Sequence, residues 1–332
     1  MDDIISLDYG SGGKKTSRLI EEMILPQLDN PALRALGDGA IVDGAERLAF
    51  STDSFVVSPL FFPGGDIGKL AVCGTVNDLS MCGAEPKYLS CSFIIEEGFA
   101  VEKLRKIIAS MAAAAGEAGV QIVTGDTKVV ERGRGDGIYI NTAGIGWLKY
   151  PGLGPENIRP GDRVIVSGFV GDHGTAVLLA RNRMMQGEIY SDCAALNTLT
   201  EALLKGSGGI RVLRDPTRGG VATTLNEFTE GGALGIELDE ESIPVRPQVQ
   251  AACDMLGLDP LYCANEGKLL AVVAEEETEK ALAILRGSSL GRDAAVIGRV
   301  TEQYPGRLVL KTSFGGSRVL QKLSGEQLPR IC

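Results

Sequence analysis

Residues 68–86 read GKLAVCGTVNDLSMCGAEP. With Asp66 and Ile67 ahead of it, this stretch predicts a helix over 66–82, ended by Gly83, with Pro86 just beyond as a stop. Strands are predicted on both sides, RLAFSTD at 47–53 and YLSCSFII at 88–95. Leu104, Ile107, Ile108, Met111 and Ala115 then recur at helical spacing over 101–118, with Gly119 after them. VQIVTG and IYINTAGIG (138–146) read as further strands. The Pro- and Gly-dense segment 149–162 reads as an interdomain link. Beyond it, strands at 268–274, 294–299 and 307–311 alternate with helices at 220–230 and 277–286. The pattern is that of a two-domain α/β (α+β) protein.

Length supports the division, since 332 residues exceed the usual size of a single core. We expect domains at 1–150 and 155–315 and a mobile tail at 316–332. The formal charge of −10 and the lack of any Lys/Arg run exclude nucleic acid as a partner. The first residues lack a signal-peptide pattern and no window of about 18 apolar residues occurs, so no membrane span is expected and the cytoplasm is the default location. Seven cysteines without a Cys-x-x-Cys pair, and a single histidine, argue against disulfides and a zinc site.

Five aspartates sit in turns: Asp38 in GDGA, Asp53 in STDS, Asp78 in NDLS, Asp126 in GDTK and Asp215 in RDPTRGG. One turn aspartate is ordinarily a cap or a turn former. Five at element ends suit a cleft that holds Mg2+ on a triphosphate. The N-terminal GSGGKKT is not a P-loop, because Asp8 stands where the first glycine belongs and Lys15 where Ser or Thr belongs. A phosphate-reaching lid and an unstructured terminus both remain open for it. His173 in GDHG is read as ordering its loop in preference to touching a nucleotide. Cys73, Cys82 and Cys91 are read as core residues.

GDGA, STDS, GKLAVCGTVNDLSMCGAEP, GDTK and DPTRGGVATTLNE, in that order over 37–227, resemble the PurM-like superfamily. The resemblance implies two α/β domains, a homodimer joined through N-terminal strands, and ATP with Mg2+ in the domain cleft. It implies that Asp38, Asp53, Lys69, Asn77, Asp78, Asp126, Thr127 and Asp215 bind the nucleotide, with Asp38, Asp78, Asp126 and Asp215 on the metal. The ending Pro329-Arg330-Ile331-Cys332 is similar to that of one family in the group, the HypE proteins of hydrogenase maturation.

That resemblance implies an ATP-dependent carbamoyl dehydratase. A carbamoyl group is loaded onto Cys332 by the carbamoyl transferase HypF. ATP phosphorylates its amide oxygen, and loss of the amide protons leaves a thiocyanate. The cyanide passes to iron on a HypC–HypD complex, for the nickel–iron centre. Glu266 in ANEGK is the implied base and Lys128 in GDTK the implied cation. A terminal Cys on a flexible segment suits a carrier arm, and from Leu320 the chain reaches about 40 Å when extended. Arg330 would lower the thiol pKa and a terminal carboxylate would raise it. Two rivals remain: a small-molecule PurM-like synthetase or kinase with an incidental tail, and a carrier that binds ATP without turning it over.

Overall fold

A computed structural model of the chain describes residues 2–332 apart from 38, 183–188, 324, 326, 327 and 329. The N-terminal segment is helical: α1 (Lys14–Leu19) runs through a π-helical turn into α2 (Leu25–Leu28), and α3 (Pro31–Arg34) follows. Asn30 caps α3 by accepting from Leu33 N–H at 3.0 Å, and its amide donates to Ile122 O at 2.9 Å, which ties the cap to the sheet. Next come β1 (Leu48–Phe55), a small ribbon of β2 (Phe61–Phe62) and β3 (Gly65–Asp66), α4 (Ile67–Met81), β4 (Ala84–Glu96), α5 (Val101–Ala118), β5 (Gln121–Val130) and β6 (Ile138–Leu148).

The first sheet has the order β1-β6-β4-β5, antiparallel except for β4 with β5, which α5 connects. Helices α4 and α5 bury its inner face. The other face is uncovered and apolar in part, with Leu48, Phe50 and Ile94 exposed.

The second lobe comprises β7 (Arg163–Val166), α6 (Asp172–Asn182), α7 (Asn197–Gly206), β8 (Ile210–Arg214), α8 (Gly220–Thr229), β9 (Gly235–Asp239), α9 (Pro247–Leu256), β10 (Leu270–Val273), α10 (Thr278–Arg286), β11 (Ala295–Thr301), β12 (Leu308–Lys311) and β13 (Ser317–Leu320). The sheet order is β13-β12-β9-β11-β7-β10-β8. Both faces are covered: Val164, Val166, Leu270 and Val272 pack toward α8, while Ile165, Ala271 and Val273 pack toward α7 and α10. That explains why LAVV in β10 is buried at every position.

The segment expected to be free from 316 onward is shorter than expected. Ser317–Leu320 pair with β12, so the tail leaves the sheet after Leu320. Helix α4 is buried almost all round because the second lobe sits on the side the first sheet leaves free. Met81 at its end belongs to the second lobe's core. No helix among the described residues is long and apolar enough to cross a membrane.

Candidate active site

The pleat of β1 points Ser51, Asp53 and Phe55 at α4. Gly74 lets the helix approach: a Cβ there would fall 2.9 Å from the Phe55 ring and 3.9 Å from Asp53 Oδ2. One turn on, Asp78 accepts from Ser51 Oγ at 2.7 Å. Asp215, in the loop after β8, is buried, and burial, with Asp78 and then Asp53 adding repulsion, pushes its carboxyl up to about 7. Asp53 is also raised, by burial and by Asp78, against the Ser54 N–H bond and Arg218. Glu266 is 2% exposed and its pKa lies well above the usual carboxylate value, from burial first and then from Asp215, Asp192 and Asp53.

Glu266 Oε1 and Asp215 Oδ2 are buried without a hydrogen-bond partner among the described residues. Crowded carboxylates with unpartnered oxygens are what an incoming cation relieves. Among the described residues, however, no three His, Cys, Asp or Glu side chains are already arranged around a metal position. A Mg2+ held here would take the rest of its oxygens from phosphates and water.

The tail ends in this cleft. Val56 N–H donates to Cys332 O at 3.2 Å and Ser58 N–H to Arg330 O at 3.1 Å, so residues 330–332 lie along 56–58 in strand-like pairing. Ile331 is buried in the first lobe's core cluster. The Cys332 thiol is pushed up to about 12, by burial first and then by Glu266 and Asp53, with only Arg218 opposing. Arg330, expected to act on the thiol, instead pairs with Asp136 and donates to Val56 O at 3.1 Å. Arg218, Ser54 and Cys332 line a cavity of about 290 Å³.

Asp53, Asp78, Asp215, Glu266 and Cys332 therefore converge, and the other expected residues do not all join them. Asn77 is fully buried and faces the lobe joint: its amide donates to Ala194 O at 3.1 Å and Glu266 O at 3.4 Å, and its oxygen accepts from Leu196 N–H at 2.8 Å. Its side chain is engaged as a strut between the lobes. Lys69 sits a helical rise of about 13 Å from Asp78 and reaches Gly64 O at 3.4 Å.

Asp126 and Lys128 project from the uncovered face, opposite Ser92 and Ile94, and pair with each other at 2.9 Å. Three strand spacings, about 14 Å, separate the Asp53 row from β5. Asp126 is thus not in one metal set with Asp78 and Asp215 inside a single chain. Its carboxyl is held low by Lys128. Thr127, between them, turns inward and its N–H donates to Asp126 Oδ1 at 2.8 Å. Asp38 lies outside the described residues. The glycine-rich segment crosses β5 beside Lys128, where a Cβ on Gly10 would fall 2.4 Å from Val129 N. Its Lys15 is engaged by Asp2 at 2.9 Å.

Family profiles described as AIR synthase related protein match residues 36–148 (N-terminal domain) and 159–311 (C-terminal domain). The carbamoyl dehydratase HypE of Cupriavidus necator is 52% identical over 335 residues, spanning 99% of this chain and 95% of that protein. The chain belongs to the HypE family. A solved HypE in complex with ATP matches with a TM-score of 0.95 at 51% identity, covering 98% of this chain and 99% of that one. A HypE–HypF complex matches with a TM-score of 0.80 at 51% identity, covering 92% of this chain and 99% of that one.

Seen as a HypE-family site, the cleft contains residues that sequence reasoning did not single out. Arg218 is the cation nearest the thiol in effect, and it lies within the DPTRGG motif already quoted. Asp192 accepts from Glu266 N–H at 3.0 Å and lies 3.3 Å from Lys268 Nζ, so a buried ion pair fixes the candidate base. Nothing in the local sequence pairs Asp192 with Glu266, which are 74 residues apart. Cys82 was expected in the core and is exposed at the end of α4. Cys253 and Cys263 face each other, Sγ to Sγ, at 3.9 Å as free thiols.

Proposed function

We propose that the chain is an ATP-dependent carbamoyl dehydratase whose substrate is the S-carboxamide on its own Cys332. The observation that carries this reading is the docking of residues 330–332 along 56–58, which brings the Cys332 thiol within electrostatic reach of Glu266 and Asp53. Transfer of the γ-phosphoryl group to the amide oxygen turns that oxygen into a phosphate leaving group. Loss of phosphate and of the two amide protons then leaves C≡N on sulfur. The balance is S-carboxamide plus ATP giving thiocyanate, ADP and phosphate.

The docked position favours a neutral sulfur. A thiol held near 12 is a poor nucleophile, so loading by HypF takes place with the tail out of the cleft. Once carbamoylated, the sulfur carries no charge to bury, and docking no longer opposes a thiolate. Burial, then Asp215, Asp192 and Asp53, raise the Glu266 carboxyl, and positive charge entering the cleft would relieve that repulsion and favour the ionised form a base needs. Mg2+ would supply such charge and hold the phosphates. Asp53, Asp78 and Asp215 are the residues that would hold it, with Asp38 retained from the family resemblance.

Lys128 and Asp126 point away from this cleft, on the uncovered sheet face. We assign that face to a second copy of the chain, since Leu48, Phe50 and Ile94 are left bare on it. In such a homodimer the glycine-rich segment and Lys128 of one protomer meet the nucleotide in the other's cleft. Residues 1–150 would then form the ATP-binding and dimerisation domain, 155–315 the second domain, and the segment after Leu320 the carrier arm delivering cyanide to HypC–HypD.

Mass spectrometry of the C-terminal peptide tests the reading. The protein is loaded with HypF and then given Mg-ATP. One carbamoyl on Cys332, followed by ATP-dependent loss of one water mass, supports it. A carbamoyl that loads and never changes leaves only a carrier.

A further inference from the structure

His173 is the only histidine in the chain and it is completely buried. Its Nδ1 lies 2.8 Å from Ser191 Oγ and its Nε2 lies 2.6 Å from Ile331 O. A carbonyl oxygen only accepts, so Nε2 carries the proton and donates to the tail. In the neutral ring Nδ1 must then accept, and Ser191 Oγ–H is its donor. Ser191 Oγ in turn accepts from Cys193 N–H at 3.1 Å, which orients the hydroxyl. Burial favours the neutral ring that this arrangement needs. The Phe62 ring meets the imidazole edge-on, with centroids 5.4 Å apart, and fixes its plane.

Of the other two C-terminal oxygens, Cys332 O is met by Val56 N–H of the first lobe, and Arg330 O by Ser58 N–H of the first lobe and by Arg181, which shares α6 of the second lobe with His173. The Ile331 carbonyl is met by His173 alone among the described residues. Among the described residues no hydrogen bond reaches the Cys332 side chain, which packs against the first lobe's core. Its position in the cleft is set by main-chain bonds, by the Arg330 side chain on Asp136 and Val56 O, and by the buried Ile331 side chain as the plug.

We propose that His173 is a positioning residue, the latch by which the second lobe, with Arg181 one residue further up the tail, holds Ile331 and so keeps Cys332 at the reacting position. Ser191 sets the latch by choosing the tautomer. The side chain recognises a backbone carbonyl, so it holds the tail equally whether Cys332 is free or carbamoylated. It touches neither the thiol nor the carbamoyl group. This rests on the dehydratase reading only for its effect on turnover. The effect on tail docking stands apart from it.

The test compares His173→Leu, which keeps bulk and removes the donor, with His173→Gln, whose amide can place an N–H near the Nε2 position. Ser191→Ala serves as a second, milder variant that leaves the imidazole in place. Two readouts are taken on the full-length protein. The first is the rate of Cys332 alkylation by iodoacetamide, read on the C-terminal peptide so that the exposed Cys82 does not interfere. The second is single-turnover dehydration of protein already carbamoylated, beside the rate of loading itself.

Losing one buried hydrogen bond shifts docking by about tenfold. His173→Leu is expected to speed alkylation and slow dehydration by about that factor, with loading unchanged or faster. Ser191→Ala falls between wild type and Leu, and Gln returns most of the difference. Alkylation at the wild-type rate in both Leu and Ser191→Ala overturns the latch. So does a Gln variant that behaves like Leu, since the role is then mere filling. If the Leu variant does not fold, Ser191→Ala and Gln decide by the same criteria. Faster alkylation in a protein whose wild type never dehydrates its carbamoyl keeps the latch and removes the dehydratase reading.

Discussion

The side-chain amide of Asn77 on α4 donates to the main-chain carbonyl of Glu266 at 3.4 Å, so the strut between the lobes also fixes the candidate base. The same side chain bonds Ala194 O and Leu196 N–H. Asn77→Leu leaves Ala194 O and Leu196 N–H unmet, while Glu266 O keeps the Ala194 N–H donor at 3.3 Å, at about 1–3 kcal/mol for each group left unsatisfied. Urea unfolding should show a loss of roughly 2 kcal/mol or more, and dehydration should fall further than ATP binding does. A variant with unchanged unfolding midpoint would show that the joint does not depend on this residue.

Removing the acid–base group while keeping the tail loaded isolates the chemical step. Glu266→Gln should accept a carbamoyl at the wild-type rate and dehydrate it roughly 10²–10⁴-fold more slowly. Full-rate dehydration by this variant would take the base assignment away from Glu266.

Lys128 and Glu266 lie on different faces of the first sheet region, and the dimer reading makes them meet across protomers. Lys128→Ala and Glu266→Ala proteins, each inactive alone, should regain activity when unfolded together and refolded as mixed dimers. Each mixed dimer would contain one intact site. No recovery, with mixed dimers shown to form, would place both residues in one chain's site.

Asp215 gives a pH signature. Its carboxyl sits near 7 in the folded chain against 3.8 when free, so the folded state holds the proton more tightly. The group is neutral in both states below the free value. Its burial cost therefore grows as the pH rises from about 4 and is complete above about 7. Asp215→Asn should raise the melting temperature more at pH 8 than at pH 5, measured without nucleotide or metal. Mg-ATP should then stabilise the wild type more than the variant. An equal gain at both pH values would contradict the raised carboxyl.

Much of the fold is legible in the sequence because the patterns are local. Helix α5 runs from Val101 to Ala118 as its spacing predicts, since Gly119 takes the left-handed turn that ends it. The strands that sequence reasoning left out owe their polar look to partners far away. GIELD in β9 contains Glu237, buried because Arg299 and Lys311 from the two adjacent strands neutralise it. IRVLR in β8 contains Arg211, half-buried against Asp162. The site divides in the same way. The motifs pointed to Asp53, Asp78, Asp215, Glu266 and Cys332, and these converge. They could not show that Asp126 and Lys128 face the other way, because one residue of register on β5 reverses the side a chain projects from. Nor could they show the bond from His173 to Ile331 across 158 positions.

The most direct test of the account follows one oxygen atom. Cys332 is loaded with carbamoyl bearing ¹⁸O on its carbonyl, and the protein is given unlabelled Mg-ATP in ordinary water. The account predicts one ¹⁸O in inorganic phosphate for every thiocyanate formed, because the amide oxygen leaves as part of the phosphate. Label released into water, with unlabelled phosphate, would contradict phosphorylation of the amide oxygen and with it the proposed mechanism.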